Sequence, residues 1–169
     1  MIKHYLDIFS VNEINKIVQL GDSLVLKEAS FGGGNLQHKT RNSKIAWIKP
    51  PEHATWLIPK ISKIWKNEFY RRFEDLQYTV YGIGGHYDWH KDVIKKPKSI
   101  KLERVSVAVV QLSNSFEYEG GDLELDIGEK IISVEKKKGM ITIFPIDMRH
   151  RVTTVTKGLR KSLIIWAVS

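Results

Sequence analysis

LQYTVYGIGGHYDWHKD, residues 76–92, passes from an apolar, alternating stretch through a glycine-rich bend into two histidines and two aspartates. LQYTVYGI has the texture of a strand, with aromatic and β-branched residues interleaved with polar ones. Gly82, Gly84 and Gly85 then let the backbone bend tightly ahead of His90, where a larger side chain would obstruct a metal mouth. His90 and Asp92 stand two positions apart, so on a strand both point to the same face. Such a pair also occurs in ordinary polar turns, and a metal reading needs a third partner from elsewhere in the chain. Tyr87 and Trp89 either line a groove beside these groups or seal the sheet edge.

The strand texture recurs after this stretch. RVSVAVVQL, GDLELDI, IISV, GMITIFP and LRKSLIIWAV are short alternating or wholly apolar segments separated by glycine, asparagine or charged residues. Ahead of it the period is helical. In FSVNEINKIVQL, Ser10 is placed to cap, Glu13 to complete a capping box, and Phe9 to staple against Ile14, with Val11, Ile14, Ile17 and Val18 on one face. PEHATWLIPKISKIWKNEFYRRF puts Leu57, Ile61, Ile64, Trp65 and Phe69 on a stripe, with Pro59 accommodated where a new helix starts. FGGGNLQHKTRNSK, 31–44, reads as a loop with a short strand near AWIKP. The pattern predicts an α+β, mostly β fold, with helices ahead of a closed or two-layer antiparallel sheet.

Length and composition set bounds on this. With 169 residues and 42% hydrophobic content, one domain spanning 1–169 is expected, with helical support over about 10–73 and a β core over about 76–168. Five tryptophans and 27% charged residues, without repeats, exclude a disordered chain or a solenoid. The net charge of +8 favours acidic partners, a nucleic acid or an acidic peptide. The absence of cysteine excludes a disulfide scaffold, a thiolate metal site and a cysteine nucleophile. With no apolar leader and no bilayer-length stretch, a cytoplasmic protein is expected.

The third ligand should lie far along the chain but on an adjacent strand. His150, which follows MITIFP and the PIDMR turn at the start of HRVTTV, meets that requirement. Two histidines and one carboxylate form a facial triad that leaves open positions on iron(II), although zinc accepts the same set and a hydrolase stays open on coordination alone. Arg160 follows His150 across an expected hairpin through Thr156, Lys157 and Gly158. Turned inward, its guanidinium is a bidentate clamp for a carboxylate; turned outward, it belongs to a solvated KGLRK turn.

Taken in order, NEFYRRFEDLQYTVYGIGGHYDWHKD, QLSNSFEYEGGDLEL and GMITIFPIDMRHRVTTVTKGLRKSLIIW resemble the Fe(II)- and 2-oxoglutarate-dependent dioxygenases, in particular the small prolyl-hydroxylase-like group of bacteria and phages. The resemblance covers nearly the whole chain. It implies a double-stranded β-helix (jelly-roll) core packed against two or three helices. It also implies iron on His90, Asp92 and His150, and 2-oxoglutarate held by Arg160 at its distal carboxylate, with Tyr81 in the same pocket. Two departures blur the subgroup rather than the chemistry: Thr154 stands where the family often has proline, and QLSN replaces a leucine-asparagine pair.

The implied activity is hydroxylation of a peptidyl residue, proline being the leading choice, with O2 as the other cosubstrate, release of succinate and CO2, and ascorbate to keep iron reduced. Oxidation or demethylation of a nucleic-acid base is the alternative enzyme class, and a non-enzymatic basic jelly-roll binding protein the alternative outside enzymes. The lysine-rich segment 91–104 either covers the pocket and steers an acidic partner or is simply solvated.

Overall fold

The computed structural model describes residues 1–29, 40–65, 70, 72–93 and 103–169. Phe69, most of the 31–44 loop and most of the basic 91–104 segment, all singled out above, lie outside the described residues. The chain order is β1 (Lys3–Tyr5), α1 (Val11–Ser23), β2 (Lys27–Glu28), β3 (Arg41–Asn42), β4 (Lys44–Ile48), α2 (Pro50–His53), α3 (Leu57–Ser62), then β5 (Arg72–Phe73), β6 (Leu76–Tyr81) and β7 (His86–His90). It continues with β8 (Arg104–Gln111), β9 (Tyr118–Gly120), β10 (Leu123–Asp126), β11 (Ile131–Ser133), β12 (Ile141–Pro145), β13 (His150–Val152), β14 (Val155–Gly158) and β15 (Arg160–Val168).

Two antiparallel sheets face each other in the expected jelly-roll arrangement. The larger runs β1-β12-β8-β15-β6-β4-β2, with β5 also on β15, and the smaller runs β11-β10-β13-β7-β3. Period two sorts the central strands of the larger sheet. Ala108, Val110, Leu163, Ile165 and Ala167 face the helices, where they meet Ile14, Ile17, Leu57, Ile61 and Trp65. Val107, Val109 and Trp166 face the other way, against Leu123 and Leu125 of the smaller sheet and Phe144. Both faces are covered, which is why these strands read as nearly continuous apolar runs.

α1 starts as its sequence dictates. Glu13 N–H donates to Ser10 Oγ at 3.3 Å and Ser10 N–H to Glu13 Oε2 at 2.8 Å, a reciprocal capping box, while Phe9 and Ile14 are buried in one cluster. Val11 departs from the expected stripe: it is 71% exposed. It lies about 60–120° around the helix from Ile14, Gly21 and Ile17, which form the buried face, and occupies the first turn, where the helix leaves the core. Pro59 sits in the first turn of α3, where its missing N–H has no intrahelical partner to lose.

Besides its helices, the stretch 10–73 supplies β2, β4 and β5 to the larger sheet and β3 to the smaller. One further expectation is corrected. The segment through Thr156–Gly158 does not form a hairpin onto Arg160; β14 pairs with β9 instead. β13 belongs to the smaller sheet and β15 to the larger, so the chain between them must cross layers and takes its hydrogen bonds from the neighbouring crossing segment.

Candidate metal centre

His90 ends β7 and His150 begins β13, and the antiparallel register makes them direct cross-strand partners, with ring centroids 4.1 Å apart. Asp92 lies just beyond β7, anchored by its N–H, which donates to the Ile146 carbonyl at 3.2 Å. Asp92 Oδ1 lies 3.5 Å from His90 Nε2 and Oδ2 lies 3.9 Å from His150 Nε2. One ligand atom from each of the three residues falls within 4.8 Å of the others, close enough to share a single cation.

The hydrogen bonds around the triad fix how it is presented. His90 Nδ1 donates to the Asp88 carbonyl at 2.6 Å and His150 Nδ1 to the Met148 carbonyl at 3.0 Å. A carbonyl only accepts, so each Nδ1 carries the proton and each Nε2 keeps its lone pair for the centre. Trp166 Nε1–H donates to Asp92 Oδ2 at 2.8 Å. Burial drives the His150 pKa down to about 4, with the neighbouring His90 adding to the effect and Asp92 opposing it. Burial alone would raise the Asp92 carboxyl, but its interactions with the adjacent His90 and His150 side chains and the Trp166 N–H outweigh it and hold it at about 2. At neutral pH His150 is therefore neutral and Asp92 ionised, the forms that bind a divalent cation.

A register shift between His150 and Val152 puts three residue steps of β7 against two of β13. This bulge brings Tyr87 onto the same face as His90, and the two rings stack at 3.4 Å and 16°. The Arg41 guanidinium caps the other side of Tyr87, 4.5 Å from its centroid. Trp89 turns to the outer face, between Arg149 and Arg151 at 5.0 and 4.8 Å. Of the two aromatics, Tyr87 thus borders the centre and Trp89 does not.

Arg160 opens β15 directly opposite Tyr81 on β6, its guanidinium 5.3 Å from that ring. Its position two, four and six residues before Ser162, Ile164 and Trp166 puts it on the same inward face as the tryptophan that touches Asp92. It is 2% exposed, its Nη1 donates to Ser162 Oγ at 3.2 Å, and its Nε has no hydrogen-bond partner among the described residues. No carboxylate pairs with it among the described residues. A small pocket opens beside it, lined also by Val109, Gln111, Tyr118, Leu123, Lys136 and Thr142. Gly121, at φ 61°, keeps this space open, since a Cβ there would stand 3.1 Å from Arg160 Cδ and 2.8 Å from Val155 Cγ2. Lys136 closes the rim, donating to the Gly120 carbonyl at 2.6 Å with Asp122 at 3.0 Å, 4.7 Å above the Tyr118 ring.

Sequence reasoning did not single out Trp166, Arg41, Tyr118 or Lys136. For Trp166 a signal existed, its even spacing from Arg160 along one strand. The others come from separate segments, with nothing in their local pattern to mark them.

A family model described as the 2OG-Fe(II) oxygenase superfamily matches residues 76–168. The chain belongs to that superfamily. Among curated relatives it is similar to a PKHD-type hydroxylase of Thermosynechococcus vestitus, 24% identical over 94% of this chain and 73% of the relative. Among solved structures it is similar to a prolyl-4-hydroxylase of Pseudomonas putida (TM-score 0.82, 17% identity, 99% of this chain and 92% of the other). A viral collagen prolyl hydroxylase from Paramecium Bursaria Chlorella virus-1, in complex with 2OG, is also similar (TM-score 0.73, 22% identity, 99% and 96%). Both likenesses establish the shared double-stranded β-helix.

Proposed function

We propose that this chain is an Fe(II)- and 2-oxoglutarate-dependent hydroxylase of a peptidyl residue, proline first among the candidates, and that residues 1–169 act as one catalytic domain. The observation that carries the reading is the convergence of His90, Asp92 and His150 within 4.8 Å, with both imidazole Nδ1 atoms already committed. The donor set fits iron(II): the His90 and His150 nitrogens and one Asp92 carboxylate oxygen would hold it, a set that suits iron with positions left open. When bound there, iron and 2-oxoglutarate supply oxidation of a substrate C–H bond to an alcohol, with O2 consumed and succinate and CO2 released.

The remaining roles belong to the chain. Arg160 holds the distal carboxylate of 2-oxoglutarate; its buried, partly unpartnered guanidinium is costly without an anion and supports that assignment. Tyr81 packs on the guanidinium and keeps it directed into the pocket. Val109, Leu123 and Phe144 supply a dry wall that strengthens these polar contacts. A peptide substrate is supported by the likeness to prolyl hydroxylases and PKHD-type hydroxylases. Nucleic-acid oxidation has only the net charge of +8 behind it. Among the described residues no helix is long and apolar enough to cross a membrane.

The test is incubation of peptide and nucleic-acid libraries with the protein, Fe(II), 2-oxoglutarate and ascorbate, followed by mass spectrometry and succinate assay. The expected result is one added oxygen on a peptide, dependent on 2-oxoglutarate. A product confined to nucleic acid would overturn the peptide assignment, and absence of succinate in every arm would overturn the enzyme class.

A further inference from the structure

We infer that Glu74, Arg104 and Trp166 form a positioning chain that holds the Asp92 carboxylate with a single oxygen turned to the cation. The inference rests on the reading of His90, Asp92 and His150 as an iron site, and it concerns how one ligand of that site is oriented. An indole N–H is only a donor, so the 2.8 Å contact from Trp166 Nε1 occupies Asp92 Oδ2 and leaves Oδ1 as the free oxygen, on the side of His90 Nε2. A carboxylate held this way would offer a cation one oxygen and would leave room there for a chelating cosubstrate.

The indole is itself fixed from behind. The Arg104 guanidinium lies over its ring, 3.8 Å from the centroid, where a planar cation both attracts the π face and blocks rotation of the side chain. Arg104 in turn donates from Nε and Nη2 to Glu74 Oε2 at 2.9 and 2.6 Å. The Glu74 N–H donates to the Trp166 carbonyl at 3.0 Å, so the acid at the end of the chain is tied to the strand that carries the tryptophan. Arg104 Nη1 also reaches the Asp92 carbonyl at 3.4 Å, touching the backbone of the ligand it steers. The side chains of Arg104 and Glu74 are only 10% and 21% exposed, and Trp166 only 5%, so water does little to screen these contacts. The chain links β8, β15 and the segment before β6 in the larger sheet to a carboxylate at the end of a strand of the smaller one.

The experiment measures Co(II) binding to the full chain, by competition with a chromophoric chelator, for wild type, Trp166→Phe, Glu74→Gln and His90→Ala. Metal-free denaturation is measured alongside. Phenylalanine keeps the apolar packing and deletes the donor; Glu74→Gln leaves the core untouched and loosens Arg104. Removing partners that orient metal ligands typically costs about ten- to hundredfold in metal affinity. A loss of that size is expected for Trp166→Phe, with a smaller loss in the same direction for Glu74→Gln. Affinity within about twofold of wild type for both variants would overturn the inference, and a loss confined to Trp166→Phe would remove Arg104 and Glu74 from it. Retention of wild-type Co(II) affinity by His90→Ala would instead sink the triad itself. Glu74→Gln keeps the inference falsifiable should Trp166→Phe not fold.

Discussion

Arg160 is the residue whose environment makes least sense without a ligand. A guanidinium at 2% exposure, with a hydrogen bond to one hydroxyl and an Nε that has no partner among the described residues, is buried at a cost that a carboxylate would offset. Its replacement by alanine should raise the 2-oxoglutarate KM by about thirtyfold or more, since a hydrogen-bonded charge pair is worth roughly 2–3 kcal/mol. Steady-state succinate assays would show it, and an unchanged KM would remove Arg160 from the pocket. His150 gives a pH prediction for the metal-free protein. Its folded pKa of about 4 lies below the ordinary value of 6.5, so the unfolded chain binds the proton first and stability falls as pH drops through that window. The full effect is on the order of 3 kcal/mol, and Asp92 adds a further loss from 3.8 down to about 2. Urea midpoints between neutral pH and pH 4 should fall in wild type and fall less in His150→Leu.

At the scale of elements, close approach decides where propensity would mislead. Gly21 lies in the last turns of α1, and in an exposed helix its replacement by alanine would stabilise by about 1 kcal/mol. Here a Cβ would stand 2.5 Å from the ring of Tyr78, a fully buried residue of β6 that also donates to Asp22 at 2.7 Å. Overpacking should win, and Gly21→Ala should lower stability by about 1–3 kcal/mol in chemical denaturation. The helix itself was legible in the sequence, because its capping box and the Ile14 and Ile17 positions are local features. β4 was legible as a short strand near AWIKP but not as part of a sheet. Its partner β6 lies far along the chain, and a pairing of that kind leaves no local mark.

For the whole molecule, the centre lies where the two sheets meet. The imidazoles come from β7 and β13 of the smaller sheet, while the indole that fixes Asp92 comes from β15 of the larger. A cation bound only by the folded arrangement stabilises it by mass action, by about 2.7 kcal/mol at a hundredfold excess over Kd. Mn(II) should therefore raise the Tm of wild type and leave that of His90→Ala in place. An equal rise in both would show that the metal binds elsewhere.

The triad itself could be picked out from residue types, the two-residue spacing of His90 and Asp92, and a distant histidine at a strand start, and Arg160 joined it through the resemblance. Helix caps, the alternation of the central strands and the absence of thiolate chemistry were likewise properties of the chain as written, because each depends on neighbours a few residues away. Tertiary structure alone decided that a bulge turns Tyr87 onto His90, that Val155–Gly158 pairs with Tyr118–Gly120, and that Glu74, Arg104 and Trp166 converge behind Asp92. These depend on register and on the packing of one sheet against another. Both are set by summed burial over the whole core, and no short segment encodes them.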